Sequence, residues 1–155
     1  MQKESYEQGS RRLNEDLLSV RPSELSDFLK QHREALITSP HPFTDYMRKK
    51  FREKGVLQQN VFLAADLSES YGYKLIAEEE HTRQRDTILR LCLAARFRLE
   101  EVQEALILYG MAPLHGRFPR DAVLTVAVQN GIYDLCEVNR LLESCVLAPL
   151  IEDYE

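Results

Sequence analysis

The chain has 155 residues, 44% hydrophobic and 29% charged, with a net charge of -5. That length sustains a core without staples, and the composition is that of an ordinary soluble globular protein. The negative balance argues against a generic nucleic-acid glue, yet leaves room for a local basic face.

Three cysteines, an odd number, include Cys92 and Cys145 inside apolar runs. They read as buried thiols in a reducing cytoplasm rather than as a disulfide framework. No apolar run approaches the roughly 20 residues of a membrane span, and the polar stretch Met1 to Ser10 is no signal peptide, so the expected location is cytoplasmic.

Residues 1–42 read as an amino-terminal helical arm and linker. Leu13, Leu17, Leu18 and Val20 mark one helix. Pro22-Ser23 opens another, with Ser23 as N-cap and Leu25, Phe28, Leu29, Leu36 and Ile37 at mostly three- and four-residue steps. Pro40 and Pro42 interrupt it, since proline disfavours helical geometry at the residue before it. The arm is expected either to cover the core's open side or to serve oligomerisation or partner binding.

Thr44 to Lys54 has helical spacing, with Tyr46, Met47 and Phe51 inward and Gly55 as terminator. Arg48, Lys49, Lys50, Arg52 and Lys54 are expected mostly outward; set against Asp45 and Glu53, these five bases give a local charge of +3. Such a run is either a phosphate-gripping face or a solvated helix surface. Gln58 to Leu67 reads as a second helix. Ser68 caps a third that holds Tyr71, Tyr73, Leu75 and Ile76, with Gly72 in its interior as a weak point or a place of close approach.

Residues 85–150 contain one pattern twice. Arg85-Asp86 leads through Leu99 and Glu101-Val102 to Ala112-Pro113-Leu114; Arg120-Asp121 leads through Leu135 and Glu137-Val138 to Ala148-Pro149-Leu150. A period near 35 residues is the size of a two-helix unit, so two stacked helical hairpins are expected. Both first helices are apolar on nearly every side and should be central. The second copy carries one extra residue, at a turn with Asn130-Gly131 and a capping-box-like Asp134 and Glu137, whereas the first keeps only Glu101 of the box. The repeated Arg-Asp pairs suit structural salt bridges, the alternative being an anion-binding surface of Arg83, Arg85, Arg117 and Arg120.

The order of these features resembles the lambda-repressor-like helix-turn-helix domains of phage and xenobiotic-response-element type regulators. The resemblance covers about residues 43–111: a basic helix ending in Lys54-Gly55, Leu57-Gln58-Gln59 opening a helix, Leu67-Ser68 at a turn, a short helix to Leu75, then Arg85 to Ala95 and Leu99 to Val102. It implies that Gln58 lies near backbone phosphates. It also implies that the helix after Ser68 enters the major groove, exposing Glu69, Ser70, Tyr73 and Lys74 to DNA. The chain departs from the pattern at Phe62, where the family usually has alanine, and at Asp66 or Ala65, where it prefers glycine. It also departs at Gly72, usually a buried aliphatic residue, and at Glu69.

The fold expected is therefore all-α: a helix-turn-helix-like domain over residues 43–114, an added hairpin over 115–155 packed on the same core, and the arm. The function expected is transcription regulation through double-stranded DNA, with Arg48, Lys49, Lys50, Arg52, Gln58, Gln59, Ser70, Tyr73 and Lys74 in contact. On this view the second hairpin supports a homodimer. The alternative is a protein-binding module using the tyrosines Tyr71, Tyr73 and Tyr109. No catalytic residue, metal set or cofactor motif is read: His32, His41, His81 and His115 are scattered, and Cys136 and Cys145 lack zinc-ligand spacing. An enzyme is not expected.

Overall fold

The computed structural model describes residues 6–150, with side chains from residue 11 onward; the acidic end at 151–155 lies outside the described residues. Every regular element is helical, and among the described residues there is no strand. Two compact units are present, Met1–Pro40 and His41–Glu155.

The first unit holds α1 (Tyr6–Leu17), a 3₁₀ turn (Pro22–Glu24) and α2 (Leu25–Gln31). Ser23 lies inside the 3₁₀ turn rather than capping it; Arg21 occupies the cap, and its amide donates to Glu24 Oε2 at 3.4 Å. The helix expected to reach Ile37 stops at Gln31, where His32 stacks on Phe28 with ring centroids 4.0 Å apart. Among the unit's described side chains, Phe28 alone is a buried hydrophobe, while Leu18, Leu25, Leu29 and Ile37 are exposed.

The second unit comprises α3 (Pro42–Lys54), α4 (Gln58–Ala64), α5 (Glu69–Ile76), α6 (Arg85–Ala94), α7 (Leu99–Leu108), α8 (Pro119–Gln129) and α9 (Leu135–Ser144). One apolar core runs from Phe43 to Leu150. Within it α3 packs on α5 and α7, α4 on α5 and α6, and α6 on α7. Tyr109 belongs to this core: its hydroxyl accepts from the Thr82 amide at 2.8 Å, and its ring stacks on His81 and meets Phe43 edge-on. It is therefore not the surface tyrosine expected of a protein-binding face.

Phe62 and Gly72, two departures from the helix-turn-helix pattern, turn out to be one feature. A Cβ built on Gly72 would run into the Phe62 ring, so the ring fills the space that a side chain at residue 72 would need. Both residues are buried. The close approach allowed by the glycine is that of an aromatic ring rather than of a neighbouring backbone.

The two hairpins, α6-α7 and α8-α9, do not stack head to tail. Arg85 of the first grips Asp121 of the second with two bonds of 2.7 and 2.9 Å, and Arg120 of the second grips Asp86 of the first at 2.6 and 2.8 Å. Helix contacts are equally reciprocal, α6 on α9 and α7 on α8. A translational stack would send such contacts one way only, whereas reciprocity is the mark of an approximate twofold relation.

Each copy also closes on itself alike. Gln103 brackets Leu114 through its backbone N–H and C=O, and Asn139 accepts from the Leu150 amide. Arg85 donates to Ala112 C=O as Arg120 does to Ala148 C=O. The extra residue falls where expected, between Gly131 and Asp134, and each copy uses half of the capping box. Glu101 accepts from the Arg98 amide, and Asp134 accepts from the Glu137 amide.

The copies differ at their last turns. Gly110 ends α7 with a left-handed φ of 81°, but its counterpart at the end of α9 is Val146, with φ 60° and 94% exposure. A β-branched residue is strained in that region and gains nothing here from burial. Val146→Gly is accordingly expected to stabilise the protein by about 1 kcal/mol, raising the midpoint of a thermal melt by about 2–4 °C.

Arg90 is the unexpected core residue. It is 1% exposed on α6, and its three guanidinium nitrogens make no hydrogen bond among the described residues. Enclosing a guanidinium whose nitrogens have no hydrogen-bond acceptor is costly. Arg90→Met, which keeps the length and removes the charge, is expected to raise the urea midpoint by the equivalent of about 1 kcal/mol or more. A drop would show that the guanidinium is held by something that methionine cannot replace. Cys92 is buried, and burial, with Glu101 nearby, pushes its thiol pKa far up; Cys145, expected to be buried, is exposed.

Candidate nucleic-acid interface

α4 and α5 form a helix pair joined by residues 65–68. Ala65 and Leu67 face the core, and Asp66 takes the left-handed conformation with φ 58°. Aspartate tolerates that region better than most residues, so it can stand where glycine was expected. The Leu67 amide closes back on Phe62 C=O at 2.9 Å, and Ser68 caps α5 by accepting from the Tyr71 amide at 3.3 Å. Leu75 and Ile76 anchor the inner face of α5.

Its outer face carries Glu69, Ser70, Tyr73 and Lys74, all exposed, with Gln59 exposed and Gln58 half-buried at the start of α4. Tyr73 leans edge-on against Phe62, centroids 5.0 Å apart. Lys74 lies 3.5 Å from Glu80, and Ser70, Tyr71, Lys74 and Glu80 line a shallow depression. Glu80 was not among the residues expected here. It folds back because the chain after α5 turns over at Glu78, φ 58°, whose carboxylate accepts from the Thr44 hydroxyl at 2.9 Å.

The basic helix α3 divides its cations between two tasks. Arg48, Lys49 and Arg52 are exposed, as expected, and Lys49 makes only a long 3.9 Å contact with Glu53. Lys50 and Lys54 instead turn towards Glu101 on α7, at 3.4 and 2.7 Å, and Lys50 also holds Glu53 at 2.9 Å. Lys54 lies over the Phe97 ring and Lys50 over the Tyr46 ring. Burial raises the Glu101 carboxyl pKa, but the Lys54 ammonium, the Arg98 amide and Lys50 outweigh it and hold the group below the ordinary carboxylate range. Lys50 is thus drawn inward by a buried carboxylate 51 residues away in the chain, unlike the exposed Arg48, Lys49 and Arg52.

The alternative anion surface fails at two of its four residues. Arg85 and Arg120 are committed to Asp121 and Asp86 and to backbone carbonyls, which leaves Arg83 and Arg117 as its exposed remainder. Among the described residues no three histidine, cysteine or acidic side chains converge as metal ligands, and no helix is long and apolar enough to cross a membrane. No family model, no curated protein and no solved structure matches this chain.

Proposed function

We propose that the protein is a DNA-binding regulator of helix-turn-helix type, related to the lambda-repressor-like domains. The observation that carries this reading is the α4-turn-α5 pair. Two short helices are joined by four residues, with Asp66 left-handed and Ser68 as cap, and Ser70, Tyr73 and Lys74 stand on the outer face of the second. In this reading Ser70, Tyr73 and Lys74 reach base edges, Gln58 and Gln59 position the pair, and Arg48, Lys49 and Arg52 grip phosphates.

The test is duplex binding against salt, using DNA from upstream of the gene. Phosphate gripping gives a log-log slope of about -0.9 per phosphate neutralised. Lys49→Glu with Arg52→Glu should weaken binding and flatten that slope, and these two are the right choices because neither is tied to Glu101. Absence of binding at low salt, or binding indifferent to the charge reversal, defeats the reading.

A second reading, a protein-binding module on the same helices, is favoured by one specific feature. The cation of α5 is matched by Glu80, and Glu69 stands at the helix start, so this face offers little net attraction for a polyanion.

A further inference from the structure

The chain leaving α5 folds back on the helix it has just completed. The amides of Glu79 and Glu80 both donate to Lys74 C=O, at 2.9 and 3.2 Å, and Glu78 ahead of them is left-handed, with φ 58°. That region is costly for a residue with a side chain and persists only where the surroundings hold it. Here the hold comes from α3. The buried Thr44 hydroxyl lies 2.9 Å from Glu78 Oε2 and 2.7 Å from Ile76 C=O, and His41 Nδ1 lies 3.3 Å from the same carboxylate oxygen. The hook so fixed sets Glu80 Oε1 3.5 Å from Lys74 Nζ, the only basic group on α5, in the depression lined by Ser70, Tyr71, Lys74 and Glu80.

We propose, on the DNA-binding reading above, that this hook is an autoinhibitory contact: Glu80 stands at Lys74 in place of a DNA acceptor, and duplex binding has to displace it.

Glu80 opposes DNA in two ways. Its carboxylate occupies the ammonium that would otherwise meet the acceptor atoms of a base edge, and it adds a negative charge to the surface that a polyanion approaches. Between residues 69 and 80 Lys74 is the only cation among four glutamates, so its availability decides what this face offers to DNA. Both partners of the pair are about half-exposed. Such a pair is weak and screened by salt, which makes it a contact that a ligand can break. Glu80 stays near Lys74 because its backbone is tied there: the bonds to Lys74 C=O fix one side of the hook, and the grip of Thr44 and His41 on Glu78 fixes the other. Glu79 carries the same charge in the same loop, but it is Glu80 that reaches Lys74.

Titration of one duplex, drawn from upstream of the gene, with the full chain and its variants at fixed low salt tests this. Glu80→Gln should tighten binding about three- to tenfold. Glu79→Gln removes the same charge from the same loop without releasing Lys74, and should tighten it by less than about twofold. In a Lys74→Gln background, Glu80→Gln should gain no more than Glu79→Gln does. All three positions are exposed, so helical circular dichroism should be unchanged throughout. If the parent chain binds but Glu80→Gln is no tighter than Glu79→Gln, or gains as much without Lys74 as with it, the autoinhibitory contact is overturned while the DNA-binding reading stands. If neither the parent chain nor Glu80→Gln binds, that reading falls and the autoinhibitory contact falls with it.

Discussion

Phe62→Ala is expected to cost about 3–5 kcal/mol, as removal of a fully buried ring generally does. Gly72→Val alone should cost about 1–3 kcal/mol, because its side chain must displace that same ring. Introduced together, the two changes should cost at least about 1 kcal/mol less than their sum, since the valine enters space that the missing ring no longer fills. Urea unfolding of the four proteins measures the coupling directly. Additive costs would mean that the ring and the glycine do not depend on each other, although a Cβ on Gly72 would collide with the Phe62 ring. Valine rather than alanine is the informative substitution: alanine gains about 1 kcal/mol of helix propensity over glycine and would mask part of the collision.

The same pair shows what can be read along a chain and what cannot. Each residue was visible as a departure from a helix-turn-helix pattern, one too large and one too small. That they cancel is a fact about one ring lying against a bare backbone position across a turn, ten residues apart. The repeat behaves similarly. Its period, turn insertion and Arg-Asp pairs were legible because they recur in order, but which carboxylate each arginine reaches is set by the hand-in-hand arrangement of the hairpins. For the candidate interface, helical spacing located Arg48, Lys49 and Arg52 on the surface. It could not foresee that Glu101 would draw in Lys50 and Lys54. Nor did the composition of α8 reveal that Val126 stands exposed on it: its residues are as apolar as those of α6, and the difference lies in α4, which has no counterpart ahead of the second copy.

The crossed pairs carry the second large effect. Removing one partner of a buried ion pair costs about 3–5 kcal/mol; with Asp121 8% exposed but Arg85 28% exposed, Asp121→Ala should cost about 2–3 kcal/mol. Asp86→Ala should cost a similar amount, since its pair with Arg120 has the same exposures. Double-mutant cycles distinguish the crossed arrangement from a local one. Arg85 with Asp121 and Arg120 with Asp86 should couple by about 1 kcal/mol or more, while the sequence neighbours Arg85 and Asp86 should couple by less than about 0.5 kcal/mol.

These pairs also set the response to acid. Burial raises the Asp121 carboxyl pKa, but the hydrogen bonds from Arg85 and from the His115 amide, with the charges of Arg85 and Arg120, hold it below the ordinary carboxylate range. A carboxylate whose pKa is lower folded than unfolded contributes stability that is complete above the unfolded pKa and is lost as pH falls through the folded one. The urea midpoint should therefore fall as pH drops from about 5 to about 3, with Glu101 and Asp121 both contributing. Asp121→Asn, less stable at neutral pH, should lose less over that interval than the parent chain. If both proteins lose equally, the acid response lies elsewhere and the crossed bridge contributes no pH-dependent stability.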